Sequence, residues 1–387
     1  MARLRHVLPA LAALLLLRSS CVLAADARPF QEAVREGGQL KYIRGVPVLF
    51  LTGEPEEMGR QQAALVVEVA RPLSDLPRSM ARYVGVEQAY PVMVGACRAI
   101  LSKVPPRHRR ELETAIATAK LNRAEADALI VVNSIFEFYH IGGCSSLLVE
   151  PEQSATGQMI FGRNLDFPSF GHLDRLALLT VYRPEDRNAF ASVGFPAFGG
   201  VVTGMNEKGL AVAAHVVGRS ADGSPGINFL GTPLFPTLRR VLEECGTVEE
   251  AGKLLAGSRY ISPLLVVACD RRRAVVFEIT TEQIVTRNAE HHLLACTNHY
   301  RTAELAVPTH CRRYRILQKY LGTRRPLSLR DVAVAMREVG VARTLQTMVL
   351  EPQSLRMHLA IGRCPVLRKR PATLELAELF RHEVPAD

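Results

Sequence analysis

Gly142-Gly143-Cys144-Ser145-Ser146, followed by Gly162-Arg163-Asn164-Leu165-Asp166-Phe167, holds the residues of this chain best suited to covalent chemistry. Cys144 stands mid-chain behind two glycines, with Arg163 at +19 and Asp166 at +22. A thiol in that position can attack the carbonyl of Gly143, cut the chain there and become a new N-terminus. The freed α-amine then lies beside the sulfur. Such an amine titrates at about 7.7–8.0, where a general base is poised. Arg163 offers a permanent positive charge to hold the thiolate and orient a substrate carbonyl. Asp166 can accept a hydrogen bond from the new amine. A hairpin of adjacent strands would return both residues to the cysteine. Arg163 and Phe167 then share a face, and Asp166 reaches the site where the strand ends or bulges near Asn164.

Asn298, in Cys296-Thr297-Asn298-His299-Tyr300, ends a predicted strand. A side-chain amide there can donate to a developing oxyanion, worth roughly a few kcal/mol in acyl-transfer sites. Arg312 and Arg313 open the next helix, so one can point into the pocket while the other is solvated. His215 lies in an apolar strand, Ala213-Ala214-His215-Val216, where a hydrogen-bonded core residue is the plain reading. Neither Ser145 nor Ser146 sits in a G-x-S-x-G elbow. His291, His292, Cys296 and His299 fit no zinc spacing, and strand alternation splits them over two faces. No metal and no cofactor is expected.

The elements that must position these residues fall into two halves. From Arg28 to Tyr139 the chain reads as mainly helical after one short strand, Val46–Leu51, placed at a sheet edge by Pro47. Glu54-Pro55-Glu56-Glu57 starts a helix to about Ala70. Another runs around Arg109–Lys120, and Asn122 with Glu125 caps a third, which carries Leu129, Val132, Ile135 and Phe136 on one face and stops at the glycines 142–143. From Cys144 on, short strands take over: Ser146–Val149, Met159–Gly162, Leu176–Tyr182 and Gly209–Val217. Helices at Thr237–Glu244 and Thr247–Ala256 follow, then a hairpin of Leu264–Cys269 and Ala274–Ile279. A strand His292–Thr297, a helix Arg312–Tyr320 and a closing hairpin of Thr347–Leu350 with Leu355–Ile361 complete the chain. Strands, helices, then strands again predict two stacked sheets between helical layers.

The 387 residues are 48% hydrophobic and 22% charged, a globular composition with room for a large core. Met1–Ala24 has a basic head, an apolar run Leu8–Leu17 and Val22-Leu23-Ala24 as a small-residue cleavage site. It is read as a secretory signal cleaved after Ala24, which places the protein in the periplasm or outside the cell. The net charge of +10 falls to +7 once Arg3, Arg5 and Arg18 leave with it. No basic block interleaved with aromatics is present, which argues against nucleic acid and leaves open a weak attraction to membrane surfaces. Cysteines stand at 21, 97, 144, 245, 269, 296, 311 and 364. Without Cys21 their number is odd, which permits three bridges and one free thiol in an oxidising compartment. Cys97, Cys245, Cys269, Cys296 and Cys364 read as small buried hydrophobes.

With these residues assembled, the chain resembles the N-terminal-nucleophile (Ntn) hydrolases of the peptidase C45 group, the penicillin acyltransferase-like proteins. More distantly it is similar to acid ceramidase, N-acylethanolamine acid amidase and choloylglycine (bile salt) hydrolases. The resemblance is carried by Gly143-Cys144-Ser145-Ser146, Gly162-Arg163-Asn164-Leu165-Asp166-Phe167, Gly204-Met205-Asn206-Glu207-Lys208-Gly209-Leu210, Thr297-Asn298-His299-Tyr300 and Thr344-Leu345-Gln346-Thr347-Met348. It implies an α+β, four-layer αββα Ntn-hydrolase fold with a mainly helical N-terminal segment. It also implies a precursor cut between Gly143 and Cys144, giving residues 25–143 and 144–387 as two pieces that stay associated. Cys144 would be nucleophile and, through its amine, base; Arg163, Asp166, Asn298 and Arg312 would line the site, with Arg313 beside it. His215 stands where relatives carry an asparagine, and it and Arg313 are the tentative oxyanion or substrate contacts. The implied substrate is a small acylated amide, cleaved through a Cys144 thioester. The alternatives are transfer of the acyl group to an amine acceptor and a non-catalytic exported binding protein of the same fold.

Overall fold

A computed structural model describes residues 28–134, 137, 142–196 and 198–385. The expected signal, residues 1–24, lies outside the described residues, as do Ile135, Phe136 and the stretch that would carry the third helix to the glycines. From Glu32 on, the chain forms one compact unit.

Its first elements are strands, not the single one expected. β1 (Ala33–Arg35) and β2 (Gly38–Ile43) form a hairpin, and β3 (Val46–Gly53) pairs with β2. Both turns are two residues long, Glu36-Gly37 and Arg44-Gly45, with positive φ at all four positions. That is the backbone twist tight hairpins need, written here without the usual Asn-Gly or Asp-Gly. β3 is also not an edge strand. It pairs antiparallel with β2 and parallel with β6 (Leu178–Pro184), but the parallel register begins at Val48↔Leu179, one residue after Pro47. The missing proline N–H therefore costs no bond to β6. Helices α1 (Pro55–Ala70), α2 (Leu76–Tyr83), α3 (Tyr90–Leu101), α4 (Pro106–Thr118) and α5 (Arg123–Ser134) follow. α5 starts as the sequence predicts, with Asn122 Oδ1 accepting from the N–H groups of Ala124 and Glu125, and Glu125 accepting from that of Asn122. Leu129 and Val132 are buried.

The remaining chain builds two sheets. β4 (Gly143–Val149), β5 (Ile160–Asp166), β13 (Leu293–Cys296), β14 (Thr344–Glu351), β15 (Arg356–Ala360) and β16 (Ala372–Glu375) form one, in the order β13-β4-β5-β14-β15-β16. The other has ten strands. β7 (Phe190–Gly194), β8 (Thr203–Asn206), β9 (Ala211–Val216), β10 (Leu264–Cys269), β11 (Ala274–Ile279) and β12 (Ile284–Asn288) continue β1-β2-β3-β6 in sequence order. β10 is an uninterrupted apolar run, and β11 is broken only by the buried Glu278, because both of their faces are covered. Their turn is held by Asp270 Oδ1, which accepts from the N–H groups of Arg272 and Arg273.

Helices α6 (Leu234–Glu244) and α7 (Val248–Ala256) cover the ten-stranded sheet. α8 (Arg312–Leu321) and α9 (Leu329–Val339) cover the other, through a cluster that includes Leu147, Val149, Leu317, Val332, Met336 and Val349. β4 meets β9 and β11 meets β13 across the middle, so the layers run helix, sheet, sheet, helix. The αββα expectation holds.

The segment before Cys144 is woven into this sandwich. β3 lies beside β6, and Glu111 and His108 of α4 reach into the later half. Arg239 pairs with Glu111 at 2.5 Å and with Glu243 at 2.8 Å, and His108 Nε2 lies 2.8 Å from Glu243. All four side chains are buried. The seven described cysteines are free, so none of the bridges permitted by the cysteine count forms among them. Burial pushes Cys97 and Cys296 up to about 12 and Cys245 to about 11, as expected of thiols packed like small hydrophobes. Cys364 is the exception, only half-buried.

Candidate active site

β4 and β5 pair in unbroken antiparallel register, Gly143↔Asp166 through Val149↔Ile160. Directly opposed residues share a face, so alternation sorts the site residues. Cys144, Ser146, Arg163 and Leu165 point between the sheets; Gly143, Ser145, Asn164 and Asp166 point to the helical side. The turn entering β4 needs its glycine. Gly142 has φ +100°, and a Cβ there would stand 2.6 Å from the Asp166 carbonyl oxygen.

On the inner face the Cys144 thiol is 2% exposed and lies 3.7 Å from the carbonyl oxygen of Ala214 on β9. Arg163, fully buried, donates to that same oxygen at 2.8 Å and to its own neighbour Asn164 at 2.5 Å. Its guanidinium thus shares an acceptor with the sulfur. The Cys144 N–H donates to Asn298 Oδ1 at 2.8 Å, while Asn298 Nδ2 donates to the Val216 carbonyl at 2.7 Å. In this geometry Asn298 accepts from the Cys144 nitrogen. The sequence expectation had Asp166 accept from the freed amine and Asn298 donate to an oxyanion; here it is Asn298 Oδ1 that meets the Cys144 nitrogen, while Asp166 accepts from Thr344 and Arg313.

Asp166 sits on the other face because β5 continues regularly to it. The bulge lies in the partner strand β14, between Thr344 and Gln346. The Asp166 carboxylate accepts from Thr344 Oγ1 at 2.6 Å and from Arg313 Nη1 at 3.1 Å. Burial pushes its carboxyl above the usual range, against the pull of Thr344 and Arg313.

Arg313 ties the two faces together. Besides Asp166, it donates to the Cys144 carbonyl at 2.6 Å, to Ser145 Oγ at 3.2 Å and to Asn298 Oδ1 at 2.7 Å. The last bond fixes which end of the Asn298 amide faces Cys144. Arg312, expected in the site, is instead exposed. The helical period explains the difference. Arg313, Ile316, Leu317 and Tyr320 form the inward stripe of α8, whereas Arg312 and Arg315 face water. That stripe was the signal available in the sequence.

His215, the tentative oxyanion or substrate contact, is engaged within the protein. It is fully buried, with Nε2 2.8 Å from Ser146 Oγ and Nδ1 2.8 Å from the Thr297 carbonyl. Burial and the nearby Arg163 charge hold its imidazole well below the usual value, so it remains neutral. It ties β4 to the end of β13, from which Asn298 projects. Thr344 is the site residue that the motif reading passed over as to role.

Beside Cys144 lies a small pocket lined by Gly143, Cys144, Leu165, Phe167, Phe195, Val216 and Phe235 among others. Its walls are almost wholly apolar, suiting an acyl or aryl group whose carbonyl meets the sulfur. Glu137 caps the start of α6, which carries Phe235 into this wall. Its Oε1 accepts the Phe235 N–H at 3.1 Å, and Ser262 Oγ lies 3.3 Å from Oε2. Burial raises this carboxyl to about 7, against those hydrogen bonds.

A sandwich of two sheets between helices, with a cysteine at the head of a central strand, agrees with the Ntn-hydrolase resemblance drawn from the motifs. A family model described as acyl-coenzyme A:6-aminopenicillanic acid acyl-transferase matches residues 153–321. The matched stretch is somewhat under half of the chain; it holds Arg163, Asp166, His215, Asn298, Arg312 and Arg313 and begins after Cys144. Among solved structures, an N-acylethanolamine-hydrolyzing acid amidase ortholog of Caenorhabditis elegans is 20% identical, covering 54% of this chain and 93% of its own, with a TM-score of 0.43. A C2A mutant of the conjugated bile acid hydrolase of Clostridium perfringens is 16% identical, covering 61% and 93%, with a TM-score of 0.41. Penicillin V acylase from Agrobacterium tumefaciens is 15% identical, covering 61% and 87%, with a TM-score of 0.40. At these values the architecture rests on the strand order and packing given above. No curated protein matches the chain.

Proposed function

We propose that this chain is an exported, self-cleaving cysteine amidohydrolase that cuts a linear N-acyl amide, a carbon–nitrogen bond other than a peptide bond, through a Cys144 thioester. The observation that carries the reading is the Cys144 N–H···Asn298 Oδ1 bond at 2.8 Å, made by a residue whose thiol faces the buried Arg163. Maturation begins when Cys144 Sγ adds to the Gly143 carbonyl carbon. The C–N bond breaks, the Gly143 acyl group passes to sulfur, and water hydrolyses the thioester. Gly143 leaves as a carboxylate and Cys144 keeps a free α-amine. Asn298 Oδ1, already bonded to that nitrogen, then orients the amine beside the sulfur as general base. In turnover the amine takes the thiol proton and returns it to the leaving amine. The acyl group occupies the apolar cavity until water releases it. Arg313, gripping the Cys144 carbonyl, holds the nucleophile's backbone in place.

Interlocking of β3 with β6 and of α4 with α6 favours two pieces that remain together after the cut. Intact-mass measurement of purified protein tests maturation, with species ending at Gly143 and starting at Cys144 expected. A single uncut chain that still hydrolyses N-acyl amides, or a Cys144→Ala variant with full turnover, refutes the reading. N-terminal sequencing of protein recovered outside the cytoplasm tests removal of Met1–Ala24. A second reading, transfer of the acyl group to an amine acceptor, is favoured by the description of the matching family. Added amines that divert the thioester from water would select it.

A further inference from the structure

The main contacts of α8 and α9 with the six-stranded sheet are to β13, β4, β5 and β14. Beside α9, the outer face of β14 and β15 opens into a groove of about 290 Å³. Its floor is apolar: Met336 and Val349 are buried there, and Leu329, Ala333 and Leu367 line it above them. His358 shares the floor with both ring nitrogens engaged, Nε2 2.9 Å from Glu351 and Nδ1 3.0 Å from Thr373. The rim is basic. Arg330 and Arg337 stand two turns apart on one stripe of α9, and Lys369 and Arg370 come from the segment before β16. The two acids of α9 lie on the adjoining stripe and are taken up there, Asp331 by Arg325 at 2.6 Å and Glu338 by the Tyr320 hydroxyl at 3.0 Å. Among the described residues, no carboxylate lines the groove, and the guanidinium groups of Arg330, Arg337 and Arg370 have no ion-pair or hydrogen-bond partner. We infer that this groove binds a single-chain amphiphile with an anionic head, a long-chain carboxylate, at a site separate from the one around Cys144.

The two sites lie on opposite faces of one sheet. Val349 pairs with Gly162, whose missing side chain faces Val332 and Met336 of α9, whereas the Cys144 thiol points between the sheets. Burying methylenes against Leu329, Met336 and Leu367 supplies the attraction for the chain. A guanidinium meets a carboxylate through two parallel N–H···O bonds, and one without a partner gives up nothing to do so. Charge complementarity therefore selects an anion, and shape selects one chain over a bilayer. The apolar side chains are recessed, while Arg330, Arg337, Lys369 and Arg370 are exposed around them. A flat headgroup surface would meet the cations and leave the floor untouched, whereas a single chain can enter.

The test uses the full chain carrying Cys144→Ala, so neither self-cleavage nor turnover enters the readout. The probe is laurate bearing a photoreactive diazirine at the end of its chain, followed after irradiation by digestion and mass mapping. Label should fall in residues 329–337 or 367–371, be competed away by laurate, and persist in dodecanol or acetate. Arg330→Glu combined with Arg337→Glu should weaken labelling about tenfold or more, because charge-assisted hydrogen bonds become repulsions. The urea midpoint of that variant should be unchanged, since both side chains are exposed. Label confined to peptides lining the Cys144 pocket, labelling indifferent to the double charge reversal, or equal competition by dodecanol overturns the assignment. Binding to phosphatidylglycerol vesicles that is lost in the same variant, without labelling by the free acid, overturns it in favour of a bilayer surface.

Discussion

Replacing Arg313 by Met should cost far more than the same change one residue earlier. The Arg313 guanidinium serves four acceptors on three elements, and its partner Asp166 is 2% exposed. Removing it leaves that carboxylate buried with the Thr344 Oγ1 hydrogen bond at 2.6 Å. Breaking a buried pair from one side costs about 3–5 kcal/mol; with a fifth of the Arg313 side chain exposed, about 3 kcal/mol is expected. Arg312→Met, on the solvent face, should stay within about 0.5 kcal/mol. Urea unfolding at pH 7, in a Cys144→Ala background that fixes the covalent state, measures both. Adding Asp166→Asn to Arg313→Met should recover about 1–2 kcal/mol relative to additive losses, since the orphaned charge disappears. The pH dependence has a definite sign. Burial sets the Asp166 carboxyl above its unfolded value, so its penalty is present above the folded pKa and relieved as protons bind. Loss of Arg313 raises that pKa further, so the deficit of Arg313→Met should shrink as pH falls from 7 toward 4. Equal losses at 312 and 313, additivity with Asp166→Asn, or a deficit constant with pH would each refute the reasoning.

Three further outcomes follow from the same geometry. Gly142→Ala forces a Cβ against the Asp166 carbonyl at positive φ, so it should lower stability by roughly 1–3 kcal/mol and slow self-cleavage, read by urea midpoint and gel. Glu137 has a folded pKa of about 7, above its unfolded value. Stability should therefore rise as pH is lowered from 8 toward 5, and Glu137→Gln should flatten that rise in urea midpoints. Thr344→Val removes a hydrogen bond to a buried carboxylate and should cost about 1–3 kcal/mol, with a smaller loss once Asp166→Asn is also present.

The motifs brought the candidate residues together because Cys144, Arg163 and Asp166 occupy consecutive strands of a hairpin, a local relation that spacing and alternation reveal. The break in texture at Gly143 marked where helices give way to strands, and the hairpin of β10 and β11 matched its predicted bounds residue for residue. β1 and β2 were missed because the tight turns that follow them are Glu-Gly and Arg-Gly, which carry weaker signals than Asn-Gly. Pro47 misled because an edge is only one place a missing N–H goes unfelt; the end of a parallel register is another.

Composition, periodicity and motif spacing thus settled the four-layer architecture, the candidate nucleophile and the strand pair that presents it. Those properties depend on neighbours along the chain. Which arginine enters the site, which residue faces the Cys144 nitrogen and whether His215 is free depend on partners brought together from distant segments. Asn298 and Cys144 are separated by 154 positions, and Arg313 and Asp166 by 147. Contacts at such separations are fixed by how sheet packs on sheet and helix on sheet, which spacing within one strand does not encode.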